Sequence, residues 1–275
     1  IEYAEGRYIY FPDADDKLGK NAISILVKAM ENGKYDLVVF GYKSINVAGK
    51  VENLKVYPEM SKVAAEIRMD YSDYMGATRR YGIQGAPWNK FFDLSVVKRN
   101  GIGYPNLRRH QDEGFISSYM EKSQNVHFIP DVLYFHYLND LKKEWDKYPV
   151  DYMDSVIGLY KTRESTILTW NKEDKKTREI IQKEYICNAI KALEMSYSPK
   201  MRLNIFERKT WVKKQIYKSK ISKMTVPGSL GRYQKTVLKC IKKNHMALAL
   251  FIMRVKIEVE KRGFLSKLRR MQCKY

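Results

Sequence analysis

Three acids fall within four positions at the end of an apolar run: "YIYFPDADDKL", residues 8–18, delivers Asp13, Asp15 and Asp16 to one place. Like charges so close repel, and the repulsion costs free energy unless a cation sits among them. A divalent metal is the natural partner, because Mg2+ and Mn2+ take oxygen ligands, commonly one or two carboxylates completed by phosphate oxygens. A metal held in this way neutralises a diphosphate leaving group. The competing reading is local: Asp15 or Asp16 caps a helix beginning near Gly19, and the remaining charge is solvated. An EF-hand loop does not fit, since Gly19 comes one place late and no Glu closes the loop.

The elements around the acids are those of an α/β protein. "RYIYF" (7–11) reads as a short buried strand ending at Pro12. In "GKNAISILVKAMENG", Ile23, Leu26, Val27 and Met30 share a helical face and Gly33 is placed to end the helix. "YDLVVFGY" (35–42) is a continuous apolar run of the kind found in interior strands. "SINVAGKVENLKVY" reads as a hairpin about Ala48-Gly49, and residues 59–76 as helix. "GAPWNKFFDLSVVKRNGI" (85–102) reads as loop, short strand and short helix stopped by Gly101. "QDEGFISSYMEKS" puts Phe115, Ile116 and Tyr119 on one side of a helix, and "NVHFIPDVLYFHYL" gives two short strands around Pro130. Beyond about residue 150 the pattern is helical, broken most clearly at "VPGSLG" (226–231).

The segment "YAEGRYIYFPDADDKL" resembles the metal-binding segment of family-2 glycosyltransferases of the GT-A fold, through Ala4, Gly6, Tyr8, Ile9, Phe11, Asp13, Asp15 and Asp16. "PWNKFFDLSVVKRNGIGYPNLRRHQDEGFISSYM" is similar to the acceptor half of that family, and "VHFIPDVLYFHY" to the strands closing the domain. The three segments occur in the family's order and together cover about residues 3–140. The resemblance implies an α/β, GT-A-like (Rossmann-like) mixed sheet, truncated at its N-terminus, since family members carry further strands of the nucleotide-binding half before this point. It implies a partial catalytic domain over 1–145 and a basic helical region over 146–275.

The resemblance also implies the chemistry: an inverting, metal-dependent transfer from a nucleotide-sugar donor to a glycan or lipid-linked acceptor in bacterial surface polysaccharide synthesis. Asp13, Asp15 and Asp16 would hold the donor's diphosphate and ribose, with Asp13 and Asp15 on an Mg or Mn ion. Asp112 would be the general base, with Glu113 beside it as the second candidate because Gln111 stands where the family more often has Glu. Trp88, Asn89 and Lys90 would shape the acceptor side; the structural alternative makes Trp88 core and Lys90 a surface charge. Arg108, Arg109 and His110 would meet phosphate or form a solvated loop. His136 would approach the metal or sit satisfied in the core. A non-catalytic, transferase-like remnant that binds membrane or a partner is the alternative to the enzyme.

Charge is distributed unevenly. Residues 151–275 hold 30 Lys and Arg against 11 Asp and Glu, so nearly all of the net +20 is in this half. Such asymmetry points to a polyanion. A stripe of Val237, Ile241, Leu248, Ile252, Val255 and Val259 flanked by lysines reads as a basic amphipathic surface for an anionic membrane, placing the protein peripherally at the cytoplasmic face. The alternative is that these helices pack on the catalytic domain or on each other and the charge is a solvated face. Nucleic acid fits less well, because few aromatics interleave with the bases. Cys187, Cys240 and Cys273 are too widely spaced for a metal-ligand pair or disulfide framework.

Overall fold

A computed structural model of the chain describes residues 1–76, 80–107, 109–138 and 150–261. The chain divides into two compact units, residues 1–142 with 161–177, and residues 143–160 with 178–275.

The first unit is built on a mixed sheet. Its elements are β1 (Tyr8–Tyr10), β2 (Lys17–Leu18), α1 (Ala22–Gly33), β3 (Leu37–Ile45), β4 (Val51–Lys55), β5 (Met60–Val63), α2 (Ala64–Met69) and α3 (Tyr71–Tyr74). They continue with β6 (Lys90–Asp93), α4 (Leu94–Arg99), α5 (Gln111–Lys122) and β7 (Asn125–Tyr137). The strand order is β1-β6-β3-β7-β2, with β4 also on β3 and β5 also on β7. Among the described residues only β3 and β7 run parallel; the remaining pairs are antiparallel. Leu37, Val38, Val39 and Phe40 are all fully buried, so the apolar run is an interior strand as its composition requires. α1 covers the sheet with Ala22, Leu26 and Met30. Ile23 does not join that face and remains 46% exposed.

Two elements depart from the sequence reading. Within 59–76, Met60–Val63 is an edge strand on β7 and helix begins only at Ala64. The strand is held there by side chains: Ser61 Oγ lies 2.6 Å from Tyr35 Oη and 3.0 Å from His127 Nδ1. Around Pro130 there is one strand of 13 residues instead of two. Val39 pairs with Phe128 but Gly41 with Val132, so β7 bulges where proline has no N–H to donate. Gly41 is needed at that point, because a Cβ there would come within 2.7 Å of the Lys55 carbonyl oxygen.

The second unit is helical and draws on α6 (Tyr152–Thr169), α7 (Lys175–Glu194), α8 (Ile205–Ser219), α9 (Arg232–Lys242) and α10 (Met246–Lys261), with residues 161–177 of the first two belonging to the first unit. Ile186, Ala189, Leu193, Val212, Val237, Leu238, Ala249 and Met253 meet in one core. The apolar stripe expected from Val237 to Val259 is therefore not continuous. The chain turns after α9, with Asn244 at φ 57°, and Val237 and Ile241 go into the core while Leu248 and Val255 face solvent. Among the described residues no helix is long and apolar enough to cross a membrane.

Candidate functional site

Antiparallel pairing of β1 with β6 sets Tyr10 opposite Phe91, so the residues leaving β1 run beside those entering β6. Tyr10 Oη donates to the Trp88 carbonyl oxygen at 2.6 Å, which ties Phe11-Pro12-Asp13 to Pro87-Trp88.

The acidic turn is closed from β7. Asp16 N–H bonds the Asp13 carbonyl oxygen at 3.2 Å. The Tyr134 hydroxyl accepts from Asp13 N–H at 3.0 Å and donates to Asp16 Oδ2 at 2.6 Å. Asp16 Oδ1 accepts from Tyr137 N–H at 2.7 Å. Both oxygens of Asp16 are thus engaged in shaping the turn, whereas Asp13 and Asp15 are exposed. Helix capping does not account for the acids, because α1 starts at Ala22 and its N-cap is Asn21.

Trp88 stacks on Tyr134 with ring centroids 4.6 Å apart and planes 8° from parallel, and on His136 at 5.4 Å. Its edge meets Tyr42 at 4.7 Å. His136 Nδ1 lies 3.3 Å from Ser44 Oγ. Asn89 is buried and donates to the Phe40 carbonyl oxygen and to Tyr57 Oη. Lys90 is not a surface charge. Its side chain is 1% exposed, and Nζ donates at 2.7 Å both to the Ala86 carbonyl oxygen and to Asn89 Oδ1. Burial pulls its pKa down to about 7 against the opposing pull of Asp112.

α5 delivers the other acids. Successive helical residues point about 100° apart, so Asp112 and Glu113 must face different surroundings. Glu113 turns inward, where Arg163 of α6 grips it at two points: Nε to Oε2 and Nη2 to Oε1, both 2.9 Å. Asp112 faces a cleft of about 250 Å3 that it lines together with Phe11, Pro12, Asp13, Pro87, Trp88, Tyr104 and Gln111. An aromatic cluster fixes that approach: Phe11 packs on Phe92, Tyr104 and Phe115, and Tyr104 stacks on Phe115 at 4.7 Å. Arg109 is half-buried in the loop before α5, outside the group of side chains that line the cleft. Arg108 lies outside the described residues.

The electrostatics follow from this arrangement. Burial raises the pKa of Asp112 above the usual carboxylate range, Asp13 raises it further, and Lys90 opposes them. Asp13, though exposed, is partly desolvated where it lines the cleft; this raises its pKa first, Asp16 and Asp15 raise it further, and His136 acts the other way.

Residues 1–84 match the family model described as glycosyl transferase family 2. The matched stretch lies in the first unit and includes the acidic turn. Solved structures similar in fold to this chain include those of S. aureus TarS. The 1–349 fragment in complex with UDP-GlcNAc has a TM-score of 0.58 at 14% identity, covering 95% of this chain and 70% of that one. The fragment in complex with UDP gives 0.56 at 14% identity, over 95% and 69%. Longer TarS gives 0.54 at 13% identity, over 92% and 41%. A comparison with curated proteins gives no match.

Among the described residues no three His, Cys, Asp or Glu side chains gather as a ready-made metal site. The acidic turn nevertheless suits a cation that arrives with phosphate ligands of its own. Its charges raise the proton affinity of Asp13, and a cation there would relieve that repulsion. Three contributors to the site were not singled out from the sequence. Arg163 acts from 50 positions away, and Tyr134 and Tyr104 lie in segments that carry the resemblance without a role assigned to either residue.

Proposed function

We propose that the chain transfers a sugar from a nucleotide-sugar donor to a hydroxyl of a glycan or lipid-linked acceptor, with inversion at the anomeric carbon. The observation that carries this reading is that Asp13 and Asp112 line one cleft. Asp112 is the general base and touches the acceptor hydroxyl. Its carboxylate takes the proton as the acceptor oxygen bonds to the anomeric carbon, and the bond from that carbon to the donor's phosphate oxygen breaks. The nucleoside diphosphate leaves with the electron pair. A raised pKa suits a base working near neutrality, and a positioned base contributes about 10²- to 10⁴-fold. Glu113 does not compete for the role, because its carboxylate is held by Arg163.

Asp13 and Asp15 would hold a Mg2+ or Mn2+ ion, which when bound supplies positive charge to the departing diphosphate. Asp16 keeps the turn in shape through Tyr134 and Tyr137. Trp88 offers an aromatic wall on the acceptor side, and the buried Asn89 and Lys90 hold the segment that carries it. UDP and UDP-GlcNAc bound to TarS support a uridine nucleotide-sugar as the first donor to try. The basic second unit supports work on a surface glycan at the cytoplasmic side of an anionic membrane.

The test is nucleoside diphosphate release from a panel of nucleotide-sugars, with Mg2+ or Mn2+ and with candidate acceptors. The proposal expects release with at least one donor and its loss in Asp112→Asn. No release from any donor by a chain that still binds UDP would favour a non-catalytic module.

A further inference from the structure

The second unit buries most of its apolar residues, but a subset is left on one surface. On α10, Ala249, Leu250 and Met253 are buried, while Leu248, Phe251 and Val255 are 47%, 63% and 45% exposed. Those three follow at spacings of three and four, which is one face of a helix. α8 opens with Ile205 and Phe206, 67% and 79% exposed. The turn that presents them is held in place, since Asn204 Oδ1 accepts from the N–H groups of Phe206 and Glu207. A cleft of about 410 Å3 lined by Lys209 and Lys213 of α8 and by residues 244–248 joins the two helices at this surface. Lysines and apolar side chains therefore lie side by side.

The charge around this surface has one sign. No acid occurs from 208 to 257, and Lys242, Lys243 and Arg254 are exposed nearby in sequence. Of the flanking acids, Glu207 accepts from Asn204 N–H at 2.8 Å and Glu260 pairs with Lys256 at 3.3 Å.

We propose that this face of α8 and α10 docks on an anionic membrane surface. Leu248, Phe251 and Val255 enter the boundary between headgroups and acyl chains, and Lys209 and Lys213 meet lipid phosphates. The exposed side chains are mostly aliphatic. The aliphatic ones, Ile205, Leu248 and Val255, gain by burial in hydrocarbon, and of the five only Phe206 and Phe251 carry a ring on which a base could stack, which favours a membrane over nucleic acid. The proposal deepens the membrane side of the functional reading but rests only on charge and exposure within this unit, so it can fail without touching the transfer chemistry.

The experiment is flotation of the full chain with vesicles of phosphatidylcholine alone and of phosphatidylcholine mixed with phosphatidylglycerol, at low and high salt. Flotation is expected with the mixed vesicles only, weakened by salt. Affinity should fall roughly fivefold for each lysine removed in Lys209→Gln and Lys213→Gln. Leu248→Ser with Phe251→Ser should abolish flotation at high salt. All four positions are outside the catalytic cleft, so melting temperature and donor turnover check that the variants remain folded. Absent flotation, equal flotation with neutral vesicles, or indifference to both sets of variants would overturn the proposal. So would dimerisation, or RNA retention tighter than vesicle binding, that depends on these same side chains.

Discussion

Arg163 Nε and Nη2 each lie 2.9 Å from an oxygen of Glu113, the residue that follows Asp112. The pair is about nine-tenths buried on both sides. It fixes the first turn of α5 from a helix whose sequence gives no hint of the site. Removing one partner leaves the other charge buried, at a cost of about 3–5 kcal/mol. Arg163→Met should therefore lower the urea midpoint strongly. Glu113→Gln with Arg163→Met should recover much of that stability, because no unpaired charge remains. A transfer rate that stays low in the stable double variant would mark the pair as positioning Asp112.

Tyr134 joins Asp13 N–H to the Asp16 carboxylate through one hydroxyl. Tyr134→Phe keeps the ring against Trp88 and deletes both bonds. Loss of hydrogen bonding to a charged group costs about 1.5–3 kcal/mol. Donor KM should rise about tenfold or more with kcat less affected, measured as nucleoside diphosphate release against donor concentration. Unchanged donor KM would show that the turn does not position the donor.

The base must be deprotonated to accept a proton. Asp112 is raised by burial and by Asp13, so the acid limb of kcat/KM should lie above the usual carboxylate value near 4. Lys90, itself pulled down to about 7, is cationic across that limb and opposes the shift. Lys90→Met should move the limb to higher pH, with a smaller charge effect near pH 8 where the lysine is largely neutral. The sign for stability is the reverse of a salt-bridged acid. The folded state binds the Asp112 proton more tightly than the unfolded state, so stability from this group falls as pH rises through its unfolded value toward the folded one. Asp112→Asn should melt no lower than the parent at pH 8.

Gly114 lies one turn into α5 where the loop carrying Tyr104 crosses it. A Cβ there would meet Pro105 Cγ at 2.5 Å. Gly114→Ala should push the 103–105 loop off the helix and destabilise by about 1–3 kcal/mol. Because Tyr104 lines the cleft, acceptor KM should rise together with the loss of melting temperature.

The apolar runs of β3 and β1, the α1 face and the acidic turn were legible because each is a local pattern. The same is true of Phe115, Ile116 and Tyr119 on α5. β5 was not, since Met60–Val63 becomes a strand through edge pairing with β7, a tertiary effect that overrides four residues of local preference. Pro130 read as a break because a bulge in one long strand has no signature of its own. The motif placed Asp13 and Asp112 as candidates. It ranked Asp112 ahead of Glu113 but could not show that Glu113 is engaged elsewhere, because that depends on Arg163. Burial of Lys90 was equally hidden, since its two acceptors come from the backbone and from Asn89.

The most direct measurement pairs turnover with UDP binding in Asp112→Asn, using the full chain with Mn2+. The account predicts that transfer falls by about 10²-fold or more, while calorimetric affinity for UDP stays within a few-fold of the parent. A variant that transfers sugar at the parental rate would contradict the assignment of Asp112 as the base that faces the acceptor across from Asp13.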